Sequence, residues 1–437
     1  MKTKKNKIVY IALTAGTIHH GHIKLIESAR TYGDIIIGLI TDNAIAEYKR
    51  LPLLSFEQRK KILINFKGVK KVVAQKQWDY SHNIKKIKPD FMVHGDDWKK
   101  GHMSIIRKNS IKALKSYGGK LIELPYTKGI SSAALIDHQN SITITPDIRR
   151  ATLRKLLDAK NISRFLEAHN PISALIGENI YMQKNGKKIG FDGFWSSSLT
   201  DSTMMGKPDN ESVDISQRLQ GVNQIFDVTT KPLIFDGDTG GKIEHFEMKI
   251  KSAERLGISA IIIEDKTGLK KNSLFKNTKD QKQEDKKSFA KKISIGKKAQ
   301  SSHEFMIIAR IESFILGKGL KDAIDRAHSY VEAGADGIMI HSKSKDTKEI
   351  FQFSKLFRKS YKNIPLISVP SSYNHVTEKE LLKNGFNIVI YANHMLRAAY
   401  PAMRNVALDI LKNNRSKEAD KRLLSINEIL NLIPGVN

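Results

Sequence analysis

The second half of the chain repeats one short unit, an apolar run followed by an amphipathic helical stretch, and few architectures accept that repeat. The candidate strands lie around Ser173–Ile176, Ile189–Phe194, Leu233–Asp236, Ala260–Ile263, Met306–Ala309, Gly337–Ile340, Leu366–Val369 and Ile388–Tyr391. Helical patterns such as Ile243–Leu256 and Leu320–Ala333 separate most of them. Such units repeated over roughly 250 residues predict a (β/α)8 TIM-type barrel, whose active site sits at the carboxyl ends of the strands. Those ends carry Trp195 to Leu199, Asp236-Gly237-Asp238, Glu264-Asp265-Lys266, Arg310-Ile311-Glu312, His341-Ser342-Lys343 and Asn393-His394. One charged residue there would read as a buried ion pair. Charged residues on successive strands read as a site. The carboxylates of Asp236, Asp238 and Glu264 suit Mg²⁺ held partly through water, while Arg310 and His341 supply donors for carboxylate or phosphoryl oxygens. Mn²⁺ suits the same oxygens.

Within this half, the segment from Glu264 to Ser273 passes abruptly from the apolar strand Ile261-Ile262-Ile263 into acids, lysines and an Asn-Ser pair. It reads as a binding segment for an anion. The lysine-rich run after it, to about Gln300, shows no hydrophobic period and predicts a mobile flap over a phosphorylated substrate.

The first part of the chain has its own alternation, with apolar runs at Ile8–Leu13, Ile35–Ile40, Val69–Ala74, Phe91–His94 and Lys120–Leu124. Strands alternating with helices predict a parallel sheet covered on both faces, with ligands at the strands' carboxyl ends. Directly after the first run come Thr14-Ala15-Gly16-Thr17-Ile18-His19-His20-Gly21-His22 and an amphipathic helix. Glycines let a phosphate approach the backbone, and a helix N-terminus offers unpaired N–H groups. That turn suits nucleotidyl transfer, where charge building on phosphates needs fixed donors. Zinc is the competing reading of three histidines in four residues, and it lacks a thiolate or a nearby carboxylate.

The chain has 437 residues, a net charge of +29 and no cysteine. Disulfides, thiolate metal sites and cysteine nucleophiles are thereby excluded, in keeping with a reducing cytoplasm. No stretch approaches the roughly 20 apolar residues of a membrane span, so a soluble cytoplasmic protein is expected. Lysine is spread over both halves and mixed with acids, which fits small polyanionic substrates better than nucleic acid. Asp137 to Pro146 breaks the periodicity, giving expected domains at 1–137 and 149–437 with a linker at 138–148.

Two resemblances sharpen these expectations. His19-His20-Gly21-His22 resembles the H-x-G-H motif of the nucleotidylyltransferase superfamily. Gly38 to Asp42, Ser55 to Arg59, His94 to Trp98 and Lys128 to Ser132 are similar to glycerol-3-phosphate-type cytidylyltransferases. The resemblance implies a Rossmann-like domain that takes CTP. His19 and His22 would stabilise the transferring phosphoryl group, Thr14 and Gly21 belong to the nucleotide turn, and Asp96 would help select cytosine. Gly129, Ile130, Ser131 and Ser132 would hold the outer phosphates. Glu264-Asp265-Lys266 followed by Lys270, Asn272 and Ser273 resembles the E-D-K-x-x-x-K-x-N-S signature of phosphoenolpyruvate mutases. By that resemblance Asp236 binds Mg²⁺, with Asp238 and Glu264 holding its waters. Trp195, Ser197, Ser198 and Leu199 line the substrate pocket, Asp209 is the aspartate essential for chemistry, and Lys270, Asn272 and Ser273 close over a phosphoryl group cradled by Arg310 and His341. Terminal helices that pack on a neighbouring subunit are also implied, hence an oligomer.

Together the resemblances imply a bifunctional enzyme of phosphonate biosynthesis. Its barrel would isomerise phosphoenolpyruvate to phosphonopyruvate, and its N-terminal domain would transfer CMP from CTP to a phosphonate, 2-aminoethylphosphonate being the candidate. The alternative is a phosphonopyruvate hydrolase barrel with a non-catalytic CTP-sensing domain, since Gly16 and Tyr126 depart from the cytidylyltransferase pattern.

Overall fold

The computed structural model describes residues 6–433 apart from 49, 100, 102, 126–144, 185–186, 269 and 274–280. The N-terminal strands are β1 (Ile8–Leu13), β2 (Asp34–Ile40), β3 (Val69–Gln75), β4 (Phe91–Gly95) and β5 (Lys120–Leu124). They form one sheet in the order β3-β2-β1-β4-β5, with every pair parallel. The strands read as almost unbroken apolar runs because both faces are covered. Val9, Ile11, Ile35 and Ile37 pack on one side, and Tyr10, Ile40 and Met92 on the other. Chain order reverses between β1 and β4, which opens a crevice beyond their carboxyl ends.

The second half closes into a parallel barrel of strands Ser163–Glu167, Gly193–Ser196, Leu233–Asp236, Ala260–Glu264, Met306–Ile311, Gly337–Ile340, Leu366–Ser368 and Ile388–Tyr391. Alternate residues of each strand divide between two cores. Ile234, Ile262, Ile308 and Ile367 point inward, while Ile261, Ile263, Ile307 and Ile338 face the helices.

Three expectations about this half need correction. Residues 173–176 are helical, inside Pro171–Asn179, because Asn170 and Ser173 make a reciprocal capping box and Pro171 opens the first turn. The first barrel strand is instead Ser163–Glu167. The expected strand 189–194 is divided between a small hairpin, Tyr181–Lys184 with Lys187–Gly190, and the barrel strand Gly193–Ser196. The expected flap is ordered helix from Lys286 to Ala299, while 274–280 lies outside the described residues. Phe289, Ile293, Gly296 and Ala299 give it a buried stripe that the surrounding lysines obscure in the sequence.

The helix Pro146–Ala159 begins inside the stretch read as a linker. It runs under the amino-terminal end of the barrel, and its fully buried Leu153 joins the inward-facing core of Phe165, Ile234 and Ile262. Leu153→Ala is therefore expected to lower unfolding free energy by about 2–5 kcal/mol, read by denaturant titration. Among the described residues no helix is long and apolar enough to cross a membrane.

Candidate active sites

Every strand end of the barrel faces the same mouth, so side chains far apart in sequence converge there. Trp195, Ser197, Ser198, Leu199, Asp209, Asp236, Glu264, Lys270, Asn272, Ser273, Arg310 and His341 all line one pocket. Those are the barrel residues expected to form the site, save Asp238, which lies just behind. Met339, Val369, Ser371, Ala392 and Asn393 complete the lining. Asn393 was expected at a strand end; Met339, Val369 and Ser371 were not, though each lies near the end of a barrel strand or just after it. Trp195 Nε1 is buried with no hydrogen-bond partner among the described residues, a donor left for whatever enters.

Lys270 is the centre of one wall. Its Nζ donates to Ser198 Oγ at 2.6 Å, to Asp209 Oδ1 at 2.7 Å and to Asp238. Asn272 Nδ2 donates to the other Asp209 oxygen at 2.8 Å. Asp209 thus clasps Lys270 and Asn272, although its own loop lies some 60 residues earlier in the chain. Burial alone would lower Lys270, but Asp238, Asp236, Glu264 and Asp209 outweigh it and hold the ammonium charged.

The opposite wall is built on Arg310. Its Nε donates to Glu312 at 2.5 Å, and its Nη2 lies 3.1 Å from Glu264, 2.9 Å from Ser273 Oγ and 2.9 Å from His341 Nδ1. Burial opposes ionisation of Glu312, yet Arg310 and His341 hold its carboxyl well below the usual range. Burial and the Arg310 charge both keep His341 below an ordinary histidine.

Asp236 and Asp238 share a second buried cation that the site expectations lacked. Arg218, on the helix Ile215–Phe226, donates to the Asp236 carbonyl at 2.6 Å, to Asp238 at 3.0 Å and to Asp201 at 2.9 Å. Nothing local marks this arginine, because its partners lie 17 to 20 residues away on other elements. Asp265 also has a structural role: it accepts from the Glu312 amide, Tyr330, Gln283 and Arg326. Burial still pushes it up to about 6.

Among the described residues, no three His, Cys, Asp or Glu side chains gather as a direct cage for a metal. The donors fit a more open arrangement. Asp236 takes Ser198 through both N–H and Oγ on one oxygen, and Glu264 Oε1 is buried without a hydrogen bond, with Lys266 Nζ 3.1 Å away. One direct carboxylate with others acting through water matches Mg²⁺, which keeps several waters.

In the N-terminal domain, β1 leads into the turn Thr14 to His19 and then α1 (His20–Arg30). The two motif histidines cap this helix reciprocally. His19 Nδ1 accepts from Gly21 N at 3.2 Å, and His22 Nδ1 accepts from His19 N at 3.4 Å, with the rings 4.0 Å apart. Accepting at Nδ1 assigns the proton of each neutral ring to Nε2, so two donors face away from the cap. Burial, then the neighbouring histidine, lowers both rings, His22 to about 4. An NMR titration of the free protein should find His22 protonating near pH 4 rather than 6.5. A base whose folded value is depressed favours folding less as pH falls, so His22 should weaken stability between about 6.5 and 4.

Asp96 opens the turn after β4, across the crevice from this histidine pair. Thr14 is held by its carbonyl, which accepts from the fully buried Arg59. Gly129, Ile130, Ser131 and Ser132 lie outside the described residues, as do Tyr126 and Lys128.

A family model described as Phosphoenolpyruvate phosphomutase matches residues 153–411, and one described as Cytidylyltransferase-like matches residues 15–138. The chain is 34% identical over 282 residues to a phosphoenolpyruvate phosphomutase of Tetrahymena pyriformis, covering 64% of this chain and 89% of the relative. A solved phosphonopyruvate hydrolase in complex with oxalate and Mg²⁺ superposes with a TM-score of 0.57 at 34% identity, covering 66% of this chain and 95% of that one. A glycerol-3-phosphate cytidylyltransferase of Bacillus spizizenii is 36% identical over 128 residues, which is 28% of this chain and 92% of the relative. An eight-stranded barrel matched across most of its length, behind a parallel sheet with its own matching model, leaves the assignment plain: the chain belongs to the phosphoenolpyruvate phosphomutase family and carries a cytidylyltransferase-like domain ahead of the barrel.

Proposed function

We propose that the barrel interconverts phosphoenolpyruvate and phosphonopyruvate, and that the N-terminal domain transfers CMP from CTP to a phosphonate, with 2-aminoethylphosphonate as the candidate acceptor. The observation that carries the first half is the clasp of Asp209 on Lys270 and Asn272 over a pocket floored by Arg310 and His341. Moving phosphorus from oxygen to carbon needs a metaphosphate-like group held still while the enolate turns. Lys270 and Arg310 place cationic donors at that position, and the reaction needs water kept away from it, since water would divert it to hydrolysis. Mg²⁺ at Asp236, assisted by Asp238 and Glu264, would supply charge stabilisation for the enolate and carboxylate oxygens.

The cytidylyl half rests on the His19 and His22 donors beside a helix N-terminus at the sheet's switch point. Its alternative, a CTP sensor beside a hydrolase, is separated by products. Phosphonopyruvate and Mg²⁺, followed by phosphorus NMR, should yield phosphoenolpyruvate; inorganic phosphate with pyruvate would make the barrel a hydrolase. CTP with 2-aminoethylphosphonate should release pyrophosphate, whereas CTP binding without turnover of any phosphonate would favour the sensor. Assembly with further copies is supported by the helix His394–Asn413, which buries no residue and exposes Tyr400, Met403 and Leu411.

A further inference from the structure

Among the described residues, the N-terminal domain meets the barrel through the short helix Asp42–Ala46 and the loop after it. This loop joins α2 (Asp42–Ala46) to α3 (Phe56–Leu63), and so lies at the carboxyl edge of β2, beside the nucleotide turn that follows β1. Arg50 reaches from it to Glu178, at the end of the helix Pro171–Asn179, and to Thr230. Glu178 is itself fixed by Thr229 Oγ1 at 2.6 Å, with Lys231 Nζ 3.9 Å away. Three residues on, the Leu53 carbonyl accepts from Lys155 Nζ at 3.0 Å, and Pro52 between them is buried. Burial, then the Arg50 charge, lowers Lys231 to about 7, as expected where an N-terminal cation enters a cluster of barrel charges.

The loop is coupled to the nucleotide turn through α3. The Phe56 amide donates to Asp42 Oδ2 at 2.9 Å, and Arg59, one turn later, donates to Asp42 Oδ1 at 2.5 Å, to the Ile40 carbonyl at 3.1 Å and to the Thr14 carbonyl. A displacement at Arg50 therefore reaches the backbone that leads to His19 through buried, charged contacts rather than through a flexible tether. The barrel residues involved precede their strands or end a helix, so they belong to its amino-terminal face. The mutase pocket opens at the other face.

We infer that the barrel is a structural part of the nucleotidyl-transfer site: Glu178 and Thr230 hold Arg50, and through it set residues 50–54 as a wall of the pocket in which the phosphonate acceptor meets CTP. This rests on the cytidylyl-transfer reading above. Arg50 is a positioning residue, its guanidinium engaged by the barrel. Since the two sites open at opposite faces, the phosphonate produced at one reaches the other through solvent, after whatever enzymes modify it.

The test uses the full chain with Glu178→Gln, Arg50→Ala, Arg50→Lys and the Arg50→Ala/Glu178→Gln pair. Pyrophosphate release is measured with CTP and 2-aminoethylphosphonate, and the barrel reaction is followed alongside. Each of Glu178→Gln and Arg50→Ala should raise the acceptor KM by about ten-fold, with Arg50→Lys recovering part of the loss. The barrel's kcat should stay unchanged, any rise in CTP KM should be smaller than the rise in acceptor KM, and the double variant should be no worse than the single ones. Unchanged acceptor KM, additive losses, or an equal fall in the barrel reaction would overturn the inference. Should the wild type turn over no phosphonate, the cytidylyl reading fails by itself, and hydrogen exchange across residues 50–64 still decides the contact. Faster exchange in Glu178→Gln supports it; unchanged exchange overturns it.

Discussion

Asp209→Ala should lower the interconversion of phosphonopyruvate and phosphoenolpyruvate by about 10³-fold while leaving the fold intact. The argument begins from what the carboxylate holds. One oxygen takes Lys270 at 2.7 Å and the other takes Asn272 at 2.8 Å, so a single side chain fixes both of these donors. Without it Lys270 still has Ser198 and Asp238, and is drawn toward Asp238 rather than the reacting group. Asn272 loses its hydrogen bond to Asp209. Donors displaced by about 1 Å forfeit much of their effect on a transferring phosphoryl group, and a loosened wall admits water. Asp209→Asn should recover part of the loss, because it still accepts from Lys270. Phosphorus NMR time courses measure both, with inorganic phosphate as a sign of leakage in the variant. Full activity in Asp209→Ala would remove the clasp from the mechanism.

Arg310→Met should affect both chemistry and stability. Removing a fixed cationic donor from a transferring group costs about 10²–10³-fold in rate. It also leaves Glu264 and Glu312 buried beside an apolar side chain, a change that costs about 3–5 kcal/mol when one partner of a buried pair is deleted. Lys266 offsets part of this, standing 3.1 Å from Glu264 and 3.8 Å from Glu312. The loss should shrink in mild acid. In the native protein Arg310 and His341 hold Glu312 well below the usual range, so its contribution is complete above the unfolded value and falls away only as pH drops through the folded one. In the variant, burial raises the same carboxyl and His341 escapes the repulsion of Arg310, so the folded state takes up protons more readily than the unfolded chain. Stability of the variant relative to native should therefore improve as pH falls toward about 5. Urea melts at two pH values test this; a penalty that grows in acid would overturn the account.

Much of this architecture was legible because the strands are buried on both faces and appear as apolar runs between turn signals. The runs at Ile8–Leu13, Lys120–Leu124 and Ala260–Ile263 coincide with observed strands to within a residue. The failures have separate local causes. Residues 171–179 are apolar enough for a strand, but their capping box commits them to a helix, while Ser163–Glu167 hides its apolar centre between polar ends. In 286–299, lysines on the exposed face mask Phe289 and Ile293.

The residues at the barrel mouth were found by a rule of geometry, that strand ends share one side, and by resemblance to motifs with matching spacing. By itself, then, the sequence determined the two folds and which residue types stand at the strand ends, since burial pattern and residue type are local properties. Tertiary structure alone decided that Asp209 grips Lys270 and Asn272, that Arg218 neutralises Asp238, and that Arg50 is anchored to Glu178 across the domain boundary. Each joins side chains separated by 20 residues or more. Such a pairing depends on where closure of the barrel and docking of the sheet bring the chain, which no local periodicity encodes.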